Sequence, residues 1–163
     1  MPVRELVSAD VPAITALYAH HVRTGTATFE EVPPPEAEMA RRMAALAEAG
    51  LPRLVAEVEG RVVGFAYAGP YRTRSAYRFT VEDSIYLDPG FQRRGLGRAL
   101  LGQVIERAQG LGLRQMIAAI GDSGNVGSIR LHQQLGFTPT GTLNHVGYKF
   151  ERWLDVVMMQ RTL

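Results

Sequence analysis

Gln92-Arg93-Arg94-Gly95-Leu96-Gly97 stands between an apolar, β-branched run, Ser84-Ile85-Tyr86-Leu87, and a strongly helical one, Arg98-Ala99-Leu100-Leu101. A strand that passes through a Gly-bearing turn into a helix leaves several backbone N–H groups unpaired and aimed at one spot. The helix dipole adds positive potential there. Such a turn is a cradle for phosphate or pyrophosphate. Gly95 and Gly97 permit positive φ and close backbone approach, and Arg93 and Arg94 add charge for flanking phosphates. A nucleotide-like cofactor is the expected occupant.

Two familiar phosphate loops are excluded. A Walker loop requires Lys-Ser/Thr directly after the glycines, where this chain has Arg98-Ala99. A dinucleotide fingerprint requires G-x-G-x-x-G, and Gly95-Leu96-Gly97-Arg98-Ala99-Leu100 lacks the third glycine.

The 163 residues predict one domain, spanning 1–163, with enough core to need no disulfide. Cysteine is absent, which excludes thiolate metal sites and a cysteine nucleophile. No apolar run reaches the roughly 18 residues of a membrane helix, and no leader pattern opens the chain, so a cytoplasmic home with no membrane partner is expected. The net charge is +2 and Lys149 is the only lysine. Arginines scattered without interleaved aromatics read as solvated surface, so no nucleic-acid partner is expected.

Outward from the cradle, periodicity and turn residues predict strands at 3–7, 53–58, 62–68 and 79–87. Further strands fall at 113–120, 138–148 and 153–160. Helices are predicted from Ser8 or Asp10 to Gly25 with an apolar face of Ile14, Leu17, Tyr18 and His21 or Val22, and over 36–49, 98–109 and 126–135. Glu59-Gly60 is a two-residue hairpin signal, and Gly121-Asp122-Ser123-Gly124-Asn125 is a turn-rich loop. The order β-α-α-β-β-β-α-β-α-β-β implies an α/β fold, a mixed sheet with helices on both faces.

The cradle pattern Q/R-x-x-G-x-G/A resembles the coenzyme A pyrophosphate loop of the GNAT superfamily of N-acetyltransferases. A second block, Asn125-Val126-Gly127-Ser128-Ile129-Arg130-Leu131-His132-Gln133-Gln134-Leu135-Gly136-Phe137, is similar to the segment that closes the cofactor site in those enzymes. The resemblance extends to the phosphinothricin and methionine sulfoximine N-acetyltransferase branch. It is carried by Thr26-Ala27-Thr28-Phe29-Glu30, Tyr71-Arg72, Ala76-Tyr77-Arg78, residues 80–87, and the tail Gly147-Tyr148-Lys149 with Trp153-Leu154-Asp155-Val156.

That resemblance implies a GNAT fold with about seven strands splayed near the cofactor, acetyl-CoA as co-substrate, and a homodimer. Acetyl-CoA would meet Ile85, Tyr86 and Leu87, the cradle from Gln92, Arg93, Arg94, Gly95, Leu96 and Gly97 to Arg98, and Asn125 with Ser128. A bulge near Leu87 would free a backbone N–H for the acetyl oxygen, and His132 would take the place of a tyrosine that protonates the departing thiolate. His132 also reads as a helix histidine packed on Phe137, and Tyr86 either lines the acceptor pocket or packs as core.

Glu82 lies mid-strand, where a buried, unpaired carboxylate costs several kcal/mol. It reads either as an ion-pair partner of Arg78 or Arg72, or as a general base that takes a proton from an arriving ammonium. Asp83 must point to the opposite face. The branch acetylates the α-amino group of small amino-acid analogues with tetrahedral side-chain ends. This assigns Arg72 first, then Arg74 or Arg78, to the substrate carboxylate. Phe29, Glu30 and Thr80 would line the acceptor site, with Phe29 also readable as core. Lys149 and Trp153 fit a second wall or a dimer contact. His20, His21 and His145 lack spaced ligand partners and read as structural, with no metal expected. Other readings are a protein N-acetyltransferase and a non-catalytic acyl-CoA-binding sensor.

Overall fold

Alternation along the strands explains how one sheet carries two cores. Leu54 and Ala56 face one side and Val55 the other; Ala66 faces the first side and Phe65 the second. The computed structural model describes residues 2–163. In it β1 (Val3–Glu5), β2 (Arg53–Val58), β3 (Arg61–Pro70), β4 (Thr80–Leu87), β5 (Gln115–Gly121), β6 (Thr138–Lys149) and β7 (Arg152–Thr162) form a single sheet. Its order is β1-β2-β3-β4-β5-β7-β6. Only β4 and β5 run parallel.

The helices α1 (Val11–Thr24) and α2 (Glu36–Glu48) cover one face, where Ile14, Val22, Met39 and Met43 pack on Val55 and Phe65. On the other face α3 (Leu96–Gly110) sets Leu100, Leu101 and Val104 against Ala66, Val81 and Met116. The short α4 (Val126–Gln134) follows β5. Among the described residues no helix is long and apolar enough to cross a membrane.

The predicted order of elements is the observed one, and the boundaries move by a few residues. Glu59 (φ 52°) and Gly60 (φ 75°) turn the β2–β3 hairpin with both central residues left-handed, as a twist-matched two-residue turn requires. Of the two expected cap residues, Ser8 and Asp10, Asp10 holds the N-cap position of α1, but its side chain makes no cap bond. Its carboxylate accepts from the Val7 N–H and from both Arg4 terminal nitrogens, each at 2.8 Å, and locks a 3₁₀ turn before the helix. Within α1 it is Val22 that is buried, and Leu17 is only half-buried.

Candidate active site

The register of β4 creates the site. Its ladder with β5 consists of three pairs, Thr80↔Gln115, Val81↔Met116 and Glu82↔Ile117, after which the two strands part. On the other side β4 stays paired with β3 from Pro70↔Val81 to Gly64↔Leu87 without a register shift. Asp88 N–H donates to Val63 O, so even-numbered residues of β4 bond toward β3. The N–H groups of Ile85 and Leu87 therefore face the fork. The bulge expected near Leu87 is absent from this ladder; the departure of β5 exposes the Leu87 N–H instead.

Below the fork, Asp88 accepts from Gly90 N–H at 2.9 Å and shapes the turn into the cradle. Arg93 (φ 60°) and Gly95 (φ 78°) are left-handed, and Gly95 is the N-cap of α3 with no side-chain cap bond. The first helical amides thus stay free for an anion. Gln92, Arg93, Arg94, Gly95 and Arg98 are exposed around them, with Arg94 stacked on Phe91 at 4.9 Å. Leu96 and Gly97 are buried. A Cβ on Gly97 would sit 3.3 Å from both Leu131 and Leu87, so this glycine lets α3 approach α4 and β4.

Asn125 is the N-cap of α4 and its side chain accepts from Ser128 N–H at 3.3 Å. One turn on, His132 is 2% exposed, with Phe137 edge-on at 4.9 Å. Its Nδ1 donates to Ser128 O at 2.7 Å, and its Nε2 lies 2.8 Å from Asp83 Oδ2. Burial works against the imidazolium, but the hydrogen bond and charge of Asp83 outweigh it with help from Ser128 O, and the His132 pKa is raised. Neither ring nitrogen is open. Sequence reasoning placed Asp83 on the correct face and missed its partner; the signal was a carboxylate and a histidine at otherwise apolar positions.

On the α1–α2 face, β4 presents Glu82, Ser84 and Tyr86 opposite Gly69, Tyr67 and Phe65 of β3. Gly69 leaves room over Glu82. Among the described residues Glu82 has no ion-pair partner, so the ion pair weighed for it with Arg78 or Arg72 is not formed. Burial first, and then the Asp83 charge, raise its pKa, while Arg72 pulls the other way. Arg78 stacks on Phe79 at 4.6 Å and donates to Ser75 O, which turns it away. Arg74 shares an open cleft with Arg72, Thr73 and Tyr77. The Thr80 side chain shares the face of Glu82, two residues along.

The segment after α1 closes this face. Tyr18 hydroxyl contacts Thr28 Oγ1 at 2.7 Å and donates to Glu30. Arg42 grips Glu30 at 2.8 and 3.0 Å and, ahead of the opposing effect of burial, lowers its pKa. Burial raises the Tyr67 pKa, with Glu82 and Glu30 adding to the rise. The Phe29 ring lies against Gly147 and Gly121. Lys149, also 2% exposed, donates to Thr28 O at 2.8 Å, and its burial lowers its pKa. It supports the wall from beneath, whereas Trp153 is 65% exposed. His21 is half-buried and donates from Nε2 to Leu87 O at 2.7 Å. Arg42 and Tyr67 carry no local motif that marks them, and Tyr18 and His21 read in the sequence only as a helix face.

Residues 14–137 match the acetyltransferase (GNAT) family. The phosphinothricin N-acetyltransferase of Alcaligenes faecalis is 56% identical over 161 residues, covering 99% of this chain and 82% of that protein. An L-methionine sulfoximine/L-methionine sulfone acetyltransferase of Pseudomonas paraeruginosa is 43% identical, covering 99% and 94%. In three dimensions the chain is similar to a GNAT superfamily phosphinothricin acetyltransferase from Sinorhizobium meliloti, solved in complex with AcCoA. The TM-score is 0.97 at 48% identity, covering 100% of this chain and 89% of that one.

Proposed function

The chain belongs to the acetyltransferase (GNAT) family, and within it we propose an enzyme that transfers acetyl from acetyl-CoA to the α-amino group of a small amino-acid analogue. The acceptor is of the phosphinothricin, methionine sulfoximine or methionine sulfone type, in keeping with the relatives at 56% and 43% identity. The observation that carries the mechanism is Glu82: a half-buried, unpaired carboxylate opposite Gly69, at the last rung before the fork.

Acetyl-CoA supplies an activated acyl carbon and a thiol leaving group. The uncapped first turn of α3, with left-handed Gly95 and the arginines around it, fits its pyrophosphate, and Asn125 and Ser128 border its arm. Glu82 takes one proton from the acceptor ammonium, and the freed amine attacks the acyl carbon directly, with no cysteine available for an acyl-enzyme. The Leu87 N–H meets the oxygen on which charge develops. Collapse breaks the C–S bond, and the nitrogen's second proton leaves as the amide forms, passing to the departing thiolate or to solvent. A thiol pKa of about 8.5 lets the sulfur leave largely without an acid, and the engaged nitrogens of His132 favour its structural reading. Arg72, whose positive charge acts on Glu82, takes the substrate carboxylate; Phe29, Glu30 and Thr80 line the acceptor side.

This reading includes a cytoplasmic location, where acetyl-CoA is at hand, and a homodimer joined through the exposed Leu143, Val146, Tyr148 and Trp153 of the β6–β7 edge. Thiol release from acetyl-CoA, measured with a panel of free amino acids, their sulfone, sulfoximine and phosphinate analogues, and lysine-bearing peptides, tests it. Glu82→Gln lowers kcat/KM by about 10²–10⁴ and removes the acid limb of the pH profile. Unchanged turnover removes Glu82 as base, and peptides that outperform every free amino acid remove the substrate class.

A further inference from the structure

Asp83 is the first residue of β4 beyond the last rung shared with β5. Its side chain leaves the sheet on the face opposite Glu82, between the apolar positions Val81 and Ile85, and meets His132 with both side chains at 3% exposure or less. Its second oxygen, Oδ1, is buried with no hydrogen-bond partner among the described residues. For stability alone this is a poor arrangement. Apolar side chains of similar volume do as well or better than a buried charged pair, and an unsatisfied oxygen adds a penalty.

The proton count defines what the pair does. Nδ1 of His132 faces a carbonyl, so it carries a hydrogen. A second proton therefore lies between Nε2 and Asp83 Oδ2, and the ring has no lone pair or free N–H for a third group. The carbonyl belongs to Ser128 in the first turn of α4, the turn that Asn125 caps. A continuous line of short contacts thus joins β4 to the start of α4 at the point where β4 and β5 separate. Leu131, beside His132 on the same helix, also abuts Gly97 of the cradle.

Resting on the acetyl-CoA reading above, we infer that Asp83 is a positioning residue: through His132 it fastens α4 to β4 at the apex of the fork and sets the opening that receives the coenzyme arm. His132 is the post of this clasp and passes no proton to the sulfur. The consequence is a division of labour across one strand, with Glu82 serving the acceptor on one face and Asp83 holding the coenzyme cleft from the other.

The test is calorimetric binding of acetyl-CoA together with steady-state kinetics for Asp83→Ala, His132→Ala, the double variant and Asp83→Asn. Near-ultraviolet circular dichroism checks folding. Each Ala variant raises Kd and KM for acetyl-CoA about tenfold, the scale of a site displaced by a fraction of an ångström, while kcat at saturation stays close to wild type. The double variant is no worse than the poorer single one, because both remove the same link. Asp83→Asn, which keeps a hydrogen-bonding group of the same shape, falls between, and it supplies the measurement if Asp83→Ala does not fold. An unchanged or lower Kd in a folded Asp83 variant overturns the inference. So does a His132→Ala enzyme that loses kcat at saturating acetyl-CoA with Kd intact, which is the behaviour of a proton donor. Failure of the wild type to bind acetyl-CoA instead overturns the function on which the inference rests.

Discussion

Replacing Gly147 with alanine tests how the acceptor wall is held. A Cβ at this position would lie 2.3, 2.6 and 2.9 Å from three carbons of the Phe29 ring. Carbon atoms meet comfortably at about 3.5–4.0 Å, so the overlap exceeds an ångström. The ring cannot slide away freely, because its opposite edge already touches Gly121, whose own added Cβ would be 3.0 Å from Phe29 and 2.6 Å from Thr26 O. Phe29 must therefore leave the slot and carry with it Thr28, which is tied to Lys149 through its carbonyl and to Tyr18 through its hydroxyl. Overpacking of this kind costs about 1–3 kcal/mol. In a domain of this size that lowers Tm by roughly 3–10 °C. Kinetics locate the damage: KM for the amino-acid acceptor rises, whereas KM for acetyl-CoA is unchanged, because the cradle lies on other elements. Phe29→Leu in the Gly147→Ala background recovers part of the lost Tm. A Gly147→Ala enzyme with wild-type Tm and acceptor KM would refute this account of the wall.

Arg72→Ala removes the one positive charge that opposes the rise of the Glu82 pKa. The acid limb of kcat/KM accordingly moves to higher pH, read from profiles at saturating acetyl-CoA. The His132 pKa is raised in the folded protein, so its contribution to stability is complete below the ordinary value of 6.5 and is lost as pH climbs through the raised one. Thermal melts show Tm declining above pH 6.5, a decline that Asp83→Asn flattens. Gly95→Ala forces a side chain onto φ +78° at a cost of about 1–2 kcal/mol and weakens acetyl-CoA binding in calorimetry. Gly102→Ala, mid-helix in α3 with open space at its Cβ, raises stability by roughly 0.5–1 kcal/mol in the same melts and leaves binding alone.

The features legible in the chain were local in origin. A turn such as Glu59-Gly60, a cap such as Asn125 and a glycine-bearing strand-to-helix passage such as residues 92–97 each declare themselves within a few residues, because backbone sterics and hydrogen bonding act at that range. They sufficed for the order of the elements, the phosphate cradle and the identity of β4 as the central strand of the site. Glu82 stood out by the same logic, since a carboxylate in the middle of a strand needs a justification wherever the strand ends up.

The tertiary structure decided everything that depends on which distant groups meet. Asp83 and His132 are 49 residues apart and Lys149 and Thr28 are 121 apart, so no window of sequence contains either pair. The same holds for Phe29 against Gly121 and Gly147, and for Glu30, which reads as a free wall residue until Tyr18 and Arg42 are seen to hold it. The parting of β5 from β4 after three rungs, which frees the Leu87 N–H without a bulge, is likewise a property of two strands in register and of neither one alone. Local chemistry names the groups a site can use; only packing across the sheet determines which are left unpartnered to do the chemistry.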